Sequence, residues 1–253
     1  MRCSESKAAI INFLAEEWKR AKYAERLGNT EIYISTELTC YRLCKDGPSV
    51  IMELKSNQEE ADTKMLLHAQ HACPNSKSVI IISEDTDVLI LALSFSEDVS
   101  NIYIRRGTET RTRYVNISRL ARTLGPEKCK ALLGAHAFTG CDSVSAFSGR
   151  GKVGGVKLLD DEYLRRGLAE LGQDWELSPE LFQVLQEYTC RLYAPKSDVS
   201  QVNELRYQLF RAKRGDVESG QLSLCEDTLY LHCQRANYQA AIWKRSLERL
   251  VYL

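Results

Sequence analysis

The sequence predicts an α/β fold in the first half of the chain and an all-helical arrangement in the second half. In the first half, β-branched runs such as residues 78–83 alternate with segments whose apolar residues recur every three or four positions. From Pro126 onward, only the helical spacing remains. The chain has 253 residues, 44% of them hydrophobic, and its 34 basic side chains balance 34 acidic ones, which excludes disorder of the bulk.

The N-terminal elements are predicted from apolar spacing and from turn residues. Apolar side chains between Ile10 and Trp18 recur as in an amphipathic helix, which predicts a helix over residues 4–23. Two strands and a second helix are predicted next, over residues 31–35, 49–54 and 59–72. The second strand follows a turn signal at residues 46–48, and the helix opens with acidic residues, which complement its macrodipole.

The strongest strand prediction concerns residues 78–83. This β-branched run is typical of a parallel strand that is buried on both faces, and it ends at the acidic segment 84–87. Two further strands are predicted over residues 101–105 and 111–115, and two short helices on either side of Gly125 and Pro126. The later helices are predicted over residues 179–193, 202–212 and about 228–250.

Composition excludes several classes of protein. The longest apolar runs fall far short of the roughly 20 residues that span a bilayer, so no membrane segment is expected. Charges interrupt the N-terminus where a secretory signal needs an apolar stretch, which predicts a nuclear or cytoplasmic protein. The nine cysteines are odd in number and scattered, as expected for reduced thiols. The alternative is that some of these residues bind zinc, although their spacing matches no common zinc finger. The candidate ligands are Cys40, Cys44, His68, His71 and Cys73.

Carboxylates that could bind a metal ion occur in three separate segments. Glu60 and Asp62 lie at a predicted helix start, where they could simply complement the helix dipole. Asp142 could be an ordinary helix N-cap. Asp85 and Asp87 follow a strand, and in extended backbone their side chains would point the same way at the edge where α/β sheets bind ligands. Because two such carboxylates repel each other unless a cation joins them, the pair favours a metal site.

Taken together, the three segments resemble the flap endonucleases and the wider PIN-like nuclease superfamily. Residues 60–62 resemble the family's Glu-Ala-Glu-Ala motif, and residues 84–87 resemble its strand followed by Asp-x-Asp. Residues 132–152 are similar to the family's Gly-x-Asp and helix–turns–helix element with a glycine-rich hairpin. The resemblance covers residues 58–160, and the strings 136–152 and 202–206 also resemble a group of mobile-element-associated animal proteins.

The resemblance implies a PIN-like domain with a mostly parallel sheet over residues 1–160 and a helical C-terminal region over 161–253. It also implies hydrolysis of DNA phosphodiester bonds with two Mg²⁺ or Mn²⁺ ions, which prefer hard oxygen ligands. By this resemblance Asp62 and Asp85 lie nearest one ion. Asp87 and Asp142 hold the second ion, and Glu60 acts through water.

The glycine-rich hairpin is predicted either to bind a DNA phosphate or to be a plain turn between two helices. Its open backbone N–H groups and basic side chains favour phosphate binding. The predicted contacts are Gly149, Arg150, Gly151, Lys152 and Lys157. Residues 149–154 also satisfy the dinucleotide pattern G-x-G-x-x-G, but no strand precedes them. Ala146 and Val153 stand where a P-loop needs glycine and Ser or Thr, so a nucleotide cofactor is not expected.

The sequence departs from the family pattern at its N-terminus, where a first strand carrying a ligand Asp and a helical arch are not visible. Two hypotheses follow. The first is a nuclease, cutting within or at the ends of structured or single-stranded DNA. The second is an inactive remnant of a mobile element that binds nucleic acid, or a protein partner through the helical C-terminal region. A nucleotide-binding enzyme ranks third. The four histidines and three tryptophans are predicted to be surface or packing residues.

Overall fold

The structure is a computed structural model that describes residues 4–212 and 219–251, and it confirms the mixed α/β class. The helices are α1 (Ser4–Trp18), α2 (Ala21–Leu27), α3 (Ala61–Ala72), α4 (Thr86–Ser94), α5 (Ile117–Leu124), α6 (Pro126–Phe138), α7 (Lys152–Leu158), α8 (Glu162–Glu170), α9 (Pro179–Tyr193), α10 (Val202–Ala212) and α11 (Glu226–Lys244). The strands are β1 (Ile32–Ser35), β2 (Cys40–Cys44), β3 (Gly47–Val50), β4 (Val79–Ile82), β5 (Ile102–Arg106) and β6 (Arg113–Asn116).

The first sheet is a small antiparallel meander in the order β1-β2-β3. The register places Ile32 opposite Leu43 and Cys44 opposite Gly47, whose φ of 107° allows the tight turn between β2 and β3. The predicted bounds of the strand at residues 49–54 are wrong. The observed strand, β3, begins at Gly47 and ends at Val50, and residues Met52–Leu54 form a 3-10 turn.

The second sheet has the order β4-β5-β6, with β4 parallel to β5 and β5 antiparallel to β6. The predicted mostly parallel sheet is wrong, because this is the one parallel pairing within the described residues. The predicted burial of β4 on both faces is also wrong. Ile81 points into the core at 7% exposure, whereas Ile80 and Ile82 are 52% and 67% exposed. Because side chains alternate between the faces of a strand, Ile80 and Ile82 share the face opposite to Ile81, which the described residues leave largely uncovered.

One hydrophobic core joins the second sheet to the helices, and α6 runs through its centre. Nine residues of α6 are buried, and its Phe138 packs edge-on against Tyr188 of α9. Helix α8 approaches closely because Gly134 of α6 has no side chain; a Cβ there would lie 2.0 Å from the carbonyl oxygen of Leu168. Residues from both sides of position 160 contribute to this core. The domain boundary at that position and the PIN-like arrangement stay predictions.

The C-terminal elements agree best with the sequence. Helices α9 and α10 have the predicted bounds, and α11 ends about six residues early, at Lys244. The helix predicted over residues 4–23 is split into α1 and α2 by a short break at residues 19–20. In the part of the chain that the structure describes, no helix is both long and apolar enough to cross a membrane.

Candidate functional site

The first acidic segment lies at the start of α3, where Glu60 is the N-cap residue and Asp62 belongs to the first turn. The Glu60 carboxylate does not cap its own helix. It accepts hydrogen bonds from Gln239 Nε2 and Trp243 Nε1 of α11, both at 2.8 Å. Because these donors come from the far end of the chain, Glu60 is held by tertiary structure and not by its local helix.

The second acidic segment is a helix start and not a strand end. The strand stops at Ile82 and α4 begins at Thr86. Asp85 has the predicted extended backbone, but Asp87 lies in the first turn of α4, so the extended arrangement predicted for the pair is wrong. Asp85 is the N-cap of α4, and its Oδ1 accepts a hydrogen bond from the backbone N–H of Asp87 at 2.9 Å. Both carboxylates remain close to the carboxyl end of β4. An Asp followed by an apolar run is a standard signal for a helix start, and it was available in the sequence.

Asp87 is paired with a buried histidine. His136 Nε2 lies 2.7 Å from Asp87 Oδ1, and Lys152 Nζ lies 2.7 Å from His136 Nδ1. A lysine ammonium can only donate, so Nδ1 accepts from it and Nε2–H donates to Asp87. The hydrogen bond from His136 holds the pKa of Asp87 below its usual value, and the nearby Lys152 charge adds to this effect. Burial lowers the pKa of Lys152, although the Asp87 charge opposes that shift.

The third acidic residue, Asp142, lies in the turns between α6 and α7. Gly140 has a φ of 114°, and a Cβ there would lie 2.8 Å from the Cα of Ala146, so the turn requires glycine. The next residue after Asp142 is tied to α11, because Ser143 Oγ donates to Gln239 Oε1 at 2.5 Å. The Gln239 amide therefore bridges the Asp142 turn and the Glu60 carboxylate. Asp142 itself is exposed.

The other four predicted carboxylates all act on Asp62. The pKa of Asp62 is raised to about 6, first by burial and then by the negative charges of the other four carboxylates. Those charges belong to Asp85, Asp87, Glu60 and Asp142. The structure thus brings together three segments of the sequence, of which the first, ending at Asp62, and the last, at Asp142, are 80 residues apart. Their negative charges repel that of Asp62.

The donor set suits a hard divalent cation, since it consists of carboxylate oxygens from converging segments. Even so, no group of three or more His, Cys, Asp or Glu side chains in residues 4–212 and 219–251 is arranged to hold a metal ion. The two observations concern different distances. Charge repulsion extends over several ångströms, whereas Mg²⁺ needs ligand oxygens at about 2 Å. The carboxylates surround one region without meeting at one point.

The predicted phosphate-binding hairpin is only partly open to solvent. Gly149, with a φ of 64°, Gly151 and Lys157 are exposed. The Arg150 guanidinium lies 4.7 Å from the centre of the Tyr193 ring, and its buried Nε has no hydrogen-bond partner among the described residues. Lys152 points to His136 and so towards the acidic region. Its predicted role as a phosphate contact differs from the contact that the structure shows.

Three residues of the site were not identified from the sequence. His136 was predicted to be a surface or packing residue and Trp243 a packing residue, and Gln239 drew no prediction. The Trp243 ring stacks on the His136 ring with centroids 5.6 Å apart and donates to Glu60. A usable signal was the position of His136 inside the apolar run of α6, because a buried imidazole needs polar partners.

The alternative zinc set receives no support from the geometry. His68 Nε2 is hydrogen-bonded to Ser35 Oγ at 2.7 Å, and Cys40 is fully buried. The eight described cysteines are free thiols, as the sequence predicts.

The function of the chain has to be argued from these residues. Its resemblance to flap endonucleases depends on the acidic segments and the glycine-rich hairpin alone. Comparisons of the chain with models of protein families, with curated proteins and with solved structures find no match.

Proposed function

We propose that the chain is a metal-dependent nuclease that hydrolyses phosphodiester bonds of DNA. The observation that carries the proposal is that four carboxylates from three segments of the chain lie close enough to Asp62 to act on it. Clustered like charges destabilise a folded protein, so they are most often found where function needs them. Carboxylate oxygens from several segments are the ligands that Mg²⁺ and Mn²⁺ prefer.

The residues divide into those that would hold cations and those that position them. Asp62 and Asp85 would hold one ion, Asp87 and Asp142 a second, and Glu60 would act through water. Two such ions would activate a water molecule and stabilise the leaving oxygen. Gln239 and Trp243 orient Glu60, and His136 orients Asp87. These positioning residues resemble the hydrogen-bonded partners that commonly orient metal ligands in proteins.

The substrate proposed for this site is structured or single-stranded DNA. The exposed glycines Gly149 and Gly151 leave their backbone N–H groups open, and Lys157 is exposed nearby in α7. Backbone N–H groups and basic side chains contact phosphates without reading bases. The hairpin and Asp142 both belong to the segment between α6 and α7. DNA that binds the hairpin would therefore contact the chain within a few residues of Asp142.

The experiment that tests the proposal is cleavage of labelled single-stranded, flap and duplex DNA by the purified chain. Cleavage is expected with Mg²⁺ or Mn²⁺, and none with Ca²⁺ or after chelation, because Ca²⁺ binds carboxylates but with looser geometry. Activity should elute with the protein during size-exclusion chromatography. If no DNA is cut with either metal, the nuclease proposal is wrong.

A second candidate function is DNA binding without catalysis. The specific observation that favours it is that three of the five carboxylates already have protein partners: Glu60 is held by α11, Asp87 by His136 and Asp85 by the N–H of Asp87. A site whose ligands are satisfied internally has less need of a cation. On this hypothesis the chain binds DNA through the hairpin and leaves it intact.

The predicted binding signature is strong dependence on salt. Each phosphate that the protein neutralises adds about 0.9 to the slope of log affinity against log salt for duplex DNA. Replacement of the exposed Lys157 by alanine is therefore expected to lower the slope by about 1 and to weaken binding equally for all sequences. The measurement is fluorescence anisotropy at several salt concentrations, with Lys45→Ala as a matched control, since Lys45 is exposed in the turn between β2 and β3. Equal slopes for the two variants would show that α7 does not contact phosphate.

A further inference from the structure

Strand β4 has an edge without a partner strand. Within the described residues it pairs only with β5. The backbone N–H groups of Val79 and Ser83 point towards β5 and donate to the carbonyl oxygens of Asn101 and Arg105, at 3.1 and 3.4 Å. Since the polar groups of a strand alternate between its two edges, those of Ile80 and Ile82 point to the opposite edge. Unpaired edges of this kind are templates for a further strand.

The free edge opens into a large groove of about 1090 Å³. All four residues of β4 line it, together with parts of α3, β1 and α1. Three large exposed apolar side chains line it, Ile11 of α1 with Ile80 and Ile82 of β4, at 46%, 52% and 67% exposure. An exposed apolar surface of this kind marks a binding site more often than ordinary surface.

The charges around the groove are mainly negative. Glu37 and Glu59 line it and are exposed. The one lysine that lines it, Lys64, donates its Nζ to the backbone carbonyl of Glu37. Beyond the carboxyl end of β4 the chain continues directly into Glu84 and Asp85. A segment that occupies the groove therefore meets carboxylates beyond the carboxyl end of β4.

We propose that this groove binds an extended polypeptide segment of another protein, which adds to β4 as a further strand. The segment would have apolar side chains at alternate positions and a Lys or Arg at the end that meets these carboxylates. An extended chain is favoured over a helix because only an extended backbone can pair with the free N–H and C=O groups of Ile80 and Ile82. A nucleic acid is disfavoured by the carboxylates. The proposal is independent of whether the acidic site cuts DNA.

The test uses the full chain without divalent metal and a fluorescein-labelled peptide, Lys-Val-Thr-Val-Thr-Val-Lys. Binding measured by anisotropy is expected at a Kd of about 10–100 μM, and Ile82→Lys should weaken it about tenfold. Tyr114→Lys is the matched control, because Tyr114 is 58% exposed on β6, at the opposite edge of the same sheet. A peptide with proline at the central valine should lose binding, and one with Glu in place of Lys should bind more weakly. Ile80→Lys serves as the second variant, and circular dichroism verifies that each variant folds.

Several results would overturn the proposal. These are no binding up to about 1 mM peptide, equal effects of Ile82→Lys and Tyr114→Lys, or equal binding of the proline peptide. Sedimentation of the chain without peptide tests whether a second copy of the chain occupies the groove instead. A dimer that forms with rising concentration and is abolished by Ile82→Lys would assign the groove to a second copy of the chain. Because no metal is present, these outcomes leave the nuclease test unaffected.

Discussion

Replacing Asp85 by asparagine is expected to lower the rate of metal-dependent DNA cleavage by about a hundredfold or more, with the fold intact. Asp85 is exposed and is the N-cap of α4, where its Oδ1 accepts the N–H of Asp87. Asparagine caps a helix about as well as aspartate, so the start of α4 should be preserved. The variant removes the negative charge and keeps the shape, which confines the effect to cation binding.

Two measurements separate this effect from a general loss of acidity. Cleavage rate and Mn²⁺ binding by calorimetry should both fall for Asp85→Asn, and both should be unchanged for Asp46→Asn. Asp46 is an equally exposed aspartate in the turn between β2 and β3. If Asp85→Asn cuts DNA at the wild-type rate, the acidic cluster is not the catalytic centre, and any observed activity belongs elsewhere.

The fold could be predicted where local chemistry decides it. Helix α9 matches its prediction because Pro179 occupies its first position and Ser178 caps it, with Ser178 Oγ accepting the N–H of Leu181. Strand β2 was missed, since Arg42 and two cysteines dilute its apolar pattern. The β-branched run identified β4 as a strand but not its exposure. Exposure depends on which elements lie beside a strand, and residues 79–82 contain no information about their neighbours.

The site could be predicted only for the residues that carry charge. The acids stood out because carboxylates that follow a strand or start a helix are local patterns. The partners that orient them are distant in sequence: Trp243 reaches Glu60 across 183 residues, and His136 reaches Asp87 across 49. No spacing rule connects such pairs. The docking of α11 against the start of α3 creates the contact, and that docking is a property of the whole core.

Replacing Asp62 by asparagine is expected to stabilise the metal-free protein above pH 6. The pKa of Asp62 is raised from its usual 3.8 to about 6, so the folded state binds this proton more tightly than the unfolded state does. The resulting contribution to stability is complete below about pH 4 and is lost as the pH rises through 6. The asparagine variant carries no such charge and should not show this loss.

The expected gain in the free energy of unfolding at pH 7.5 is about 1 kcal/mol. The shift alone would correspond to about 3 kcal/mol, but Asp62 is only half-buried and solvent screens the repulsion. Urea unfolding at pH 4 and at pH 7.5 measures the difference, which should be near zero at the lower pH. Asp46→Asn is again the matched control, with no gain expected at either pH.

Divalent metal should reverse the order of stability. A cation that binds the folded state alone stabilises it by about 2.7 kcal/mol at a hundred times its Kd. Mg²⁺ or Mn²⁺ should therefore raise the melting temperature of the wild type at pH 7.5 and have little effect on Asp62→Asn. A wild type that metal does not stabilise, beside a variant that is more stable without it, would mean that the acidic cluster is repulsive without serving as a cation site. That result would favour DNA binding without catalysis.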